Sequence, residues 1–172
     1  MTADPIASPV DETAYRRTLG RLPTGVVAVT ALAGGAPAGL AVNSFTSVSL
    51  DPPLVAFCVA HTSVTWPRIL PARRLCVNIL SADQREVARR LASRGGDKFG
   101  GLRWSPSPSG LPILDGALAW LECEIDTSHL AGDHDIVVAR VHRLKRGNGD
   151  TGPLIFYRGG YGGFAPSTET NS

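Results

Sequence analysis

The sequence predicts a mainly β, antiparallel barrel with a few short helices. About seven short segments are rich in β-branched and other apolar residues, whereas only two or three segments have helical spacing. The 172 residues include 19 Gly and 13 Pro, more turn-forming residues than a helical bundle accommodates without broken helices. Hydrophobic residues make up 43% of the chain and charged residues 19%, as in compact domains.

One domain is predicted, over residues 11–164. The flanking segments 1–10 and 165–172 are rich in Ala, Pro, Ser and Thr and have no hydrophobic period, so both are expected to be flexible tails.

The elements follow from hydrophobic periodicity and turn residues. Asp11 is a candidate N-cap for a first helix, which Pro23 ends. Glycines 34 and 35 join the first two strands as a hairpin. Ser63 is a candidate cap for a brief helical turn, and residues 84–93 form the clearest amphipathic helix. The predicted strands are residues 25–31, 38–43, 54–60, 75–80, 117–128, 134–145 and 153–157.

Two further patterns suggest polar or functional regions. Residues 94–116 contain many Gly and Pro and little apolar pattern, and a segment of this length is expected to be a functional loop. Along the first long strand, Glu122 and Glu124 alternate with apolar residues, so one face of this strand is expected to be solvated or to line a polar site.

Charge and cysteine content exclude several classes of partner. The formal net charge of +2 is too small to favour binding to nucleic acid or to a membrane surface. The three widely spaced cysteines suggest neither a disulfide framework nor a metal site, and we expect them to be buried thiols. The N-terminal residues do not resemble a signal peptide, and no long apolar run occurs, so a cytoplasmic protein is expected.

The common catalytic and nucleotide motifs are absent from the sequence. No strand leads into Gly-x-Gly-x-x-Gly, and no P-loop occurs. Gly-x-Ser-x-Gly and His-Glu-x-x-His are absent too, so nothing indicates a hydrolase or a metalloprotease.

Two polar segments beside the third strand are candidates for a binding site. Residues 43–53 read Asn-Ser-Phe-Thr-Ser-Val-Ser-Leu-Asp-Pro-Pro and can offer an amide, hydroxyls and backbone N–H groups to a ring edge or a phosphate. Residues 61–65 read His-Thr-Ser-Val-Thr and place hydroxyls at the start of a helical turn, where an anion is favoured. A turn-rich connector would explain the first segment equally well, and capping alone would explain Ser63.

Several motifs in order along the chain resemble the short-chain flavin reductase family. They are Thr-Gly-Val-Val-Ala-Val-Thr at 24–30, Gly-Leu-Ala-Val-Asn-Ser-Phe-Thr-Ser-Val-Ser-Leu-Asp-Pro-Pro-Leu at 39–54, Cys-Val-Asn-Ile-Leu at 76–80, Gly-Asp-His at 132–134 and Pro-Leu-Ile-Phe-Tyr at 153–157. The resemblance covers residues 14–164, nearly the whole predicted domain, and the block at 43–53 is its most distinctive part.

The resemblance implies a fold, an activity and partners. The implied fold is the FMN-binding split β-barrel, as a homodimer with flavin at the subunit interface. The implied activity is oxidation of NADH or NADPH with reduction of FMN or FAD, and release of reduced flavin to a partner flavin-dependent monooxygenase.

The resemblance also implies a role for each residue that matches a family position. His134 matches the histidine beside the nicotinamide, and a surface histidine is the alternative. Tyr161 is expected to close over the site. The implied flavin contacts are Asn43, Ser44, Phe45 and Thr46 at the ring and ribityl chain, Thr24 and Ala60 near the ring, Ser63 and Thr65 at the phosphate, and Lys98 and Phe99 at the flavin tail.

One departure from the family pattern leaves the coenzyme preference open. The family often has a glycine a few residues after the histidine, where this chain has Val138 and Ala139, so a narrower nicotinamide pocket is expected. Two other functions remain possible on the same barrel: a flavin- or haem-binding protein without turnover, and an oxidase that acts on a bound organic substrate.

Overall fold

The structure is a computed structural model that describes residues 10–147 and 151–166. Most of the two predicted tails, residues 1–9 and 167–172, therefore lies outside the described residues. The boundaries 11–164 stay a prediction.

Seven antiparallel strands form the main sheet, in the order β3-β2-β6-β9-β10-β5-β4. The glycines of the β2–β3 turn, at 34 and 35, both have positive φ, which a two-residue hairpin of this type requires. The strands are β2 (Val27–Ala33), β3 (Ala36–Val42), β4 (Thr46–Leu50), β5 (Pro53–Ala60), β6 (Arg74–Ile79), β9 (Ala119–Ala131) and β10 (His134–Arg146).

The sheet curls around one apolar core. Leu40 of β3 and Phe57 of β5 belong to the same cluster of buried side chains, although the two strands lie at opposite ends of the sheet order. Trp66 closes the cluster, with its ring edge-to-face to Phe57 at 5.7 Å between centroids. The predicted mainly β, antiparallel barrel with few helices is confirmed.

A second apolar core lies between the barrel and a small second sheet. A three-stranded sheet, β1 (Thr24–Gly25), β11 (Leu154–Tyr157) and β12 (Gly160–Gly163), packs there with the order β1-β11-β12. Leu154 of this sheet, Leu80 after β6 and Leu91 of α3 (Arg85–Ala92) are buried in one cluster. α3 therefore packs with the three-stranded sheet around this second core.

The other two helices are short. α1 (Glu12–Leu19) begins where the Asp11 carboxylate accepts a hydrogen bond from the Ala14 N–H at 2.9 Å, as expected for an N-cap. The helix ends at Leu19, before Pro23, where the N–H groups of Arg21 and Leu22 bond to the carbonyls three residues earlier. α2 (Trp66–Ile69) begins where Ser63 Oγ accepts the Trp66 N–H at 3.1 Å. None of the described helices is long and apolar enough to cross a membrane.

Four strands were missing from the sequence-based prediction. β4 lies inside the polar segment 43–53, β12 lies in the Gly-rich segment 159–163, and the hairpin of β7 (Trp104–Pro106) and β8 (Pro112–Leu114) lies inside the predicted loop 94–116. The backbone pairings override the low strand propensity of Ser, Gly and Pro at these positions.

The β7–β8 hairpin is fastened to the barrel by a buried carboxylate. Glu122 on β9 accepts hydrogen bonds from the hydroxyl of Ser107, from the N–H of Ser109 at 2.8 Å and from the Arg143 guanidinium at 3.0 Å. Burial opposes ionisation, but these donors outweigh it and lower the pKa of Glu122 to about 2. Of the two predicted polar positions, Glu124 is solvated and Glu122 forms this network.

Candidate functional site

A cavity of about 320 Å³, the main cavity, opens at the C-terminal ends of β3 and β5 and at the first residue of β10. Its walls come from the β3–β4 connection, the β5–α2 connection, the C-terminal end of α3 and the first residue of β10. Segments far apart in the chain therefore meet at one opening. Seven of the residues implied by the resemblance line it: Asn43, Ser44, Ala60, Ser63, Thr65, Lys98 and His134.

Ser44 fixes the shape of one wall. Its hydroxyl oxygen accepts the Cys58 N–H at 2.8 Å and lies 3.2 Å from the Cys58 carbonyl, to which it donates. The β3–β4 connection is thus tied to β5, which holds Asn43 at the rim. Because both hydrogen-bonding capacities of the hydroxyl are engaged with backbone, Ser44 shapes the cavity in this structure.

One end of the main cavity is rich in hydrogen-bond donors, and we call it the anion end. The Lys98 ammonium donates to the Thr65 hydroxyl at 2.9 Å and to the Leu91 carbonyl at 3.0 Å. Thr65 and Ser63 each accept one hydrogen bond, so each hydroxyl proton is free for a ligand. Burial, and then the charge of Arg68, lower the pKa of Lys98 from its ordinary value. This arrangement suits a phosphate.

The rim at the first residue of β10 carries a histidine. His134 begins β10 directly beside Ala60 of β5, and its Nδ1 lies 2.7 Å from a carboxylate oxygen of Asp133. The hydrogen bond from His134, followed by the charge of the ring, lowers the pKa of Asp133. Because Nδ1 is engaged by Asp133, Nε2 is the ring nitrogen left for a ligand.

A smaller cavity of about 180 Å³, the side cavity, adjoins the main cavity. The two share Asn43 and the end of β3, and Tyr161 of β12 forms part of the far wall. The Tyr161 ring packs edge-to-face on Phe156 of β11, with 5.3 Å between centroids. Burial raises the pKa of Tyr161, although the charge of Arg89 opposes the shift.

A third cavity of about 260 Å³, the tail cavity, begins where the anion end stops. It shares Thr65 and Lys98 with the main cavity and is lined further on by Arg68 of α2 and by Phe99. Side, main and tail cavities therefore adjoin one another in this order.

Three implied residues line none of these cavities. Phe45 is half-buried and packs against the barrel core. Thr46 is exposed at the start of β4, where its hydroxyl donates to the Ser47 carbonyl at 3.2 Å. The buried Oγ1 of Thr24 has no hydrogen-bond partner among the described residues, and Thr24 pairs with Phe156 beside the side cavity. The flavin contacts of all three residues stay predictions.

Sequence reasoning missed Arg68 and Phe156. Arg68 follows Thr65 by three positions, the spacing that places two side chains on one face of a helical turn, and this spacing is the signal that could have found it. Phe156 alternates with buried Leu154 on β11, and only the pairing of β11 with β1 and β12 brings it to the side cavity.

The cavities suit the binding of a flat, phosphorylated ligand. In the described part of the chain, no cluster of His, Cys, Asp and Glu has the arrangement of a metal site. The donors that do line the main cavity are hydroxyls, the Asn43 amide, the Lys98 ammonium, the Arg94 guanidinium and the His134 imidazole, beside apolar strand ends. Such a site can hold two aromatic ligands in contact and bind a phosphate at one end.

Comparison with protein-family models gives a match to the flavin reductase like domain over residues 19–165. The chain is 48% identical over 166 residues to a flavin reductase of Pseudomonas putida, which covers 96% of this chain and 97% of that protein. It is 41% identical to the reductase subunit of a flavin-dependent monooxygenase of Rhodococcus jostii, over 93% of this chain and 82% of the relative.

A solved structure agrees with these matches. An NADH:FAD oxidoreductase of Streptomyces globisporus, in complex with NAD and FAD fragments, superposes with a TM-score of 0.85 at 38% identity, covering 96% of this chain and 100% of the other. The two sequence relatives and this structure are matched over most of their own length. The chain therefore belongs to the family of proteins with a flavin reductase like domain.

Proposed function

We propose that this protein is an NAD(P)H:flavin oxidoreductase that reduces FMN or FAD and releases the reduced flavin to a flavin-dependent monooxygenase. One observation carries the proposal: a single open cavity is lined both by the anion end of Ser63, Thr65 and Lys98 and by His134. This arrangement provides for a flavin phosphate and for a second ring beside the flavin.

The reaction requires the protein mainly to bind the flavin and the nicotinamide and to orient them relative to each other. A hydride moves from nicotinamide C4 to flavin N5, so NAD(P)H and a proton are consumed as flavin is reduced, and no protein nucleophile takes part. Ser63 and Thr65 donate hydroxyl protons to the phosphate, and Lys98 supplies positive charge. His134, with Nδ1 engaged by Asp133, positions the nicotinamide carboxamide through Nε2.

Most groups at the anion end are uncharged, which suits a flavin that must leave after reduction. Two of the three donors there are neutral hydroxyls, and Lys98 already has two protein acceptors. Neutral donors hold a phosphate less tightly than a bidentate arginine does. Release of reduced flavin to a monooxygenase is therefore compatible with this site.

The direct test follows NAD(P)H absorbance at 340 nm with purified protein. We expect oxidation that depends on added FMN or FAD and that is absent without flavin. Absence of oxidation with every pairing of two flavins and two nicotinamides would overturn the proposal. Stoichiometric flavin or haem retained after purification, without turnover, would instead support a non-catalytic binding protein. Formation of a product from an organic substrate without a partner would support an oxidase.

Replacement of His134 by alanine tests the second half of the site. We expect the KM for the nicotinamide to rise about tenfold, the effect of one lost hydrogen bond of about 1.4 kcal/mol, and the KM for flavin to change less than twofold. The exposed His129 lines none of the three cavities, so His129→Ala is the matched control. An unchanged nicotinamide KM would remove the proposed role of His134.

A homodimer is part of the proposal. Val48 is 52% exposed and Ile136 38%, which leaves apolar side chains uncovered on β4 and β10. Ile136 shares a face of β10 with His134 at the rim of the main cavity. A second copy on this face would lie beside the site. Light scattering coupled to size-exclusion chromatography measures the mass, and a monomer at micromolar concentration would contradict the proposal.

We also propose a cytoplasmic location. The described part of the chain contains three free cysteines, and burial raises the pKa of the thiols of Cys76 and Cys123 to about 12, so both stay protonated. Unpaired thiols are usual in reducing compartments. Fractionation of cells that express the protein tests the location, and recovery outside the cytoplasm would refute it.

A further inference from the structure

The tail cavity adds a second cationic group beyond the anion end. We propose that this cavity receives the adenylate half of FAD, that Arg68 binds the second phosphate, and that the protein therefore prefers FAD to FMN. This inference rests on the proposed function, because it takes the anion end as the site of the flavin's first phosphate. It assigns to Arg68 the role of discriminating between the two flavins.

The charges at the junction support a diphosphate. Lys98, at the wall shared by the two cavities, has one ammonium proton left after its hydrogen bonds to Thr65 and Leu91. Arg68 lines only the tail cavity, and its charge lowers the pKa of Lys98 after the larger effect of burial. Among the described residues, Arg68 forms no ion pair. Two uncompensated positive groups thus lie in sequence along the ligand path.

Among the described residues, the carboxylate on the same wall forms no ion pair with Arg68. Asp97 lines the tail cavity, but its Oδ1 accepts the N–H groups of Phe99 at 3.0 Å and of Gly100 at 2.8 Å. It shapes the turn that carries Lys98 and Phe99. The guanidinium of Arg68 is therefore available to an incoming anion, and a guanidinium binds phosphate oxygens in a bidentate manner.

Beyond the charges, the cavity has room and apolar surface for a ring. Gly95 and Gly96 have φ values of 75° and 73°, and nothing lies within 4 Å of the position where a Cβ would be. On the opposite wall, a Cβ at Gly39 would come within 3.2 Å of the Phe99 ring, so this glycine lets the ring pack close to β3. Pro37 and Phe99 give the cavity an apolar wall that suits a purine.

FMN has no group that would extend into the tail cavity. Its chain ends at the single phosphate, which Ser63, Thr65 and Lys98 can bind. The adenosine and second phosphate of FAD continue past this point, where Arg68 and the apolar wall begin. FAD would therefore contact both the anion end and the tail cavity, whereas FMN would contact the anion end alone.

The test measures equilibrium binding, separately from turnover. Quenching of flavin fluorescence gives the Kd of FAD and of FMN for the wild type and for Arg68→Gln. We expect the wild type to bind FAD at least tenfold more tightly than FMN. The substitution is expected to raise the Kd of FAD about tenfold and that of FMN less than twofold. ADP is expected to compete with FAD, and more weakly in the variant.

Arg85→Gln is the matched control, because Arg85 is an exposed arginine at the start of α3 that lines none of the three cavities. Equal affinity of the wild type for both flavins would overturn the inference. An equal rise of both Kd values in Arg68→Gln would also overturn it, because Arg68 would then serve the first phosphate. Either result can occur with flavin-dependent NAD(P)H oxidation intact, whereas absence of oxidation with FAD bound tightly refutes only the proposed function.

Discussion

Replacing Glu122 with glutamine is expected to lower the melting temperature by roughly 4–8 °C at neutral pH. The glutamine can still accept hydrogen bonds from Ser107 and Ser109, but its amide N–H₂ group would face the donors of Arg143. Loss of the charged hydrogen bonds costs about 2 kcal/mol, and each kcal/mol changes the melting temperature by about 2–4 °C in a domain of this size. Differential scanning calorimetry measures the shift.

This contribution to stability depends on pH. The pKa of Glu122 is about 2 in the folded protein, below its ordinary value of 4.5. A depressed folded-state pKa stabilises the fold above the unfolded value, and the stabilisation is lost as the pH falls through the folded value. The difference in melting temperature between wild type and variant is therefore expected to narrow as the pH falls from 4.5 towards 2.

Glu124 provides the control for Glu122→Gln. It lies two residues further along β9 on the same face, but it is solvated and its ion pair with His142, at 3.4 Å, is half-exposed. Glu124→Gln is expected to change stability by less than about 0.5 kcal/mol. If Glu122→Gln and Glu124→Gln had the same melting temperature, Glu122 would not fasten the β7–β8 hairpin.

The largest expected effect on activity comes from removing both hydroxyls of the anion end. Ser63→Ala combined with Thr65→Ala is expected to raise the KM for FMN about 100-fold, because each hydrogen bond to a charged phosphate contributes about 1.5 kcal/mol. The kcat should change less than twofold, since in this proposal the two hydroxyls bind the phosphate and contact neither reacting ring. Steady-state kinetics at saturating NAD(P)H measure both parameters.

Riboflavin separates loss of phosphate binding from loss of structure. It has the same ring and ribityl chain as FMN but no phosphate, so its KM in the double variant should equal that in the wild type. Ser63 also accepts the Trp66 N–H, so a distorted α2 would impair both flavins. An equal rise of both KM values would therefore contradict the assignment of the phosphate to these hydroxyls.

The sequence predicted the strands best where one apolar pattern continues along the whole strand. β5 and β6 have apolar residues on both faces. The predicted bounds of β6 differ from the observed ones by one residue at each end, and those of β5 differ by one residue at the N-terminal end only. β4 and β12 were missed because β4 lies in a polar segment and includes two Ser, whereas β12 is mostly Gly, so their strand conformation depends on pairing with β5 and β11 rather than on composition. The β7–β8 hairpin depends on Glu122, a residue outside the hairpin.

The site could be predicted only in part for the same reason. Ser63 and Thr65 form a local polar pattern that the sequence displays directly, and the structure places both in the main cavity. Arg68 is one of many arginines in the sequence, and its significance depends on β3 and on the 95–99 segment closing the tail cavity around it. Residues that come together only in the folded protein produce no periodic pattern in the sequence.

The three-stranded sheet of β1, β11 and β12 has a consequence for the order of folding. Thr24 pairs with Phe156, so this sheet closes a loop of nearly the whole described chain, whereas β9 and β10 pair across a short turn. Long loops carry a larger closure entropy, and long-range pairings form slowly. Because Phe156 and Tyr161 line the side cavity, the binding site is completed with the last pairing. A refolding chain should regain most of its strand content before it regains affinity for flavin.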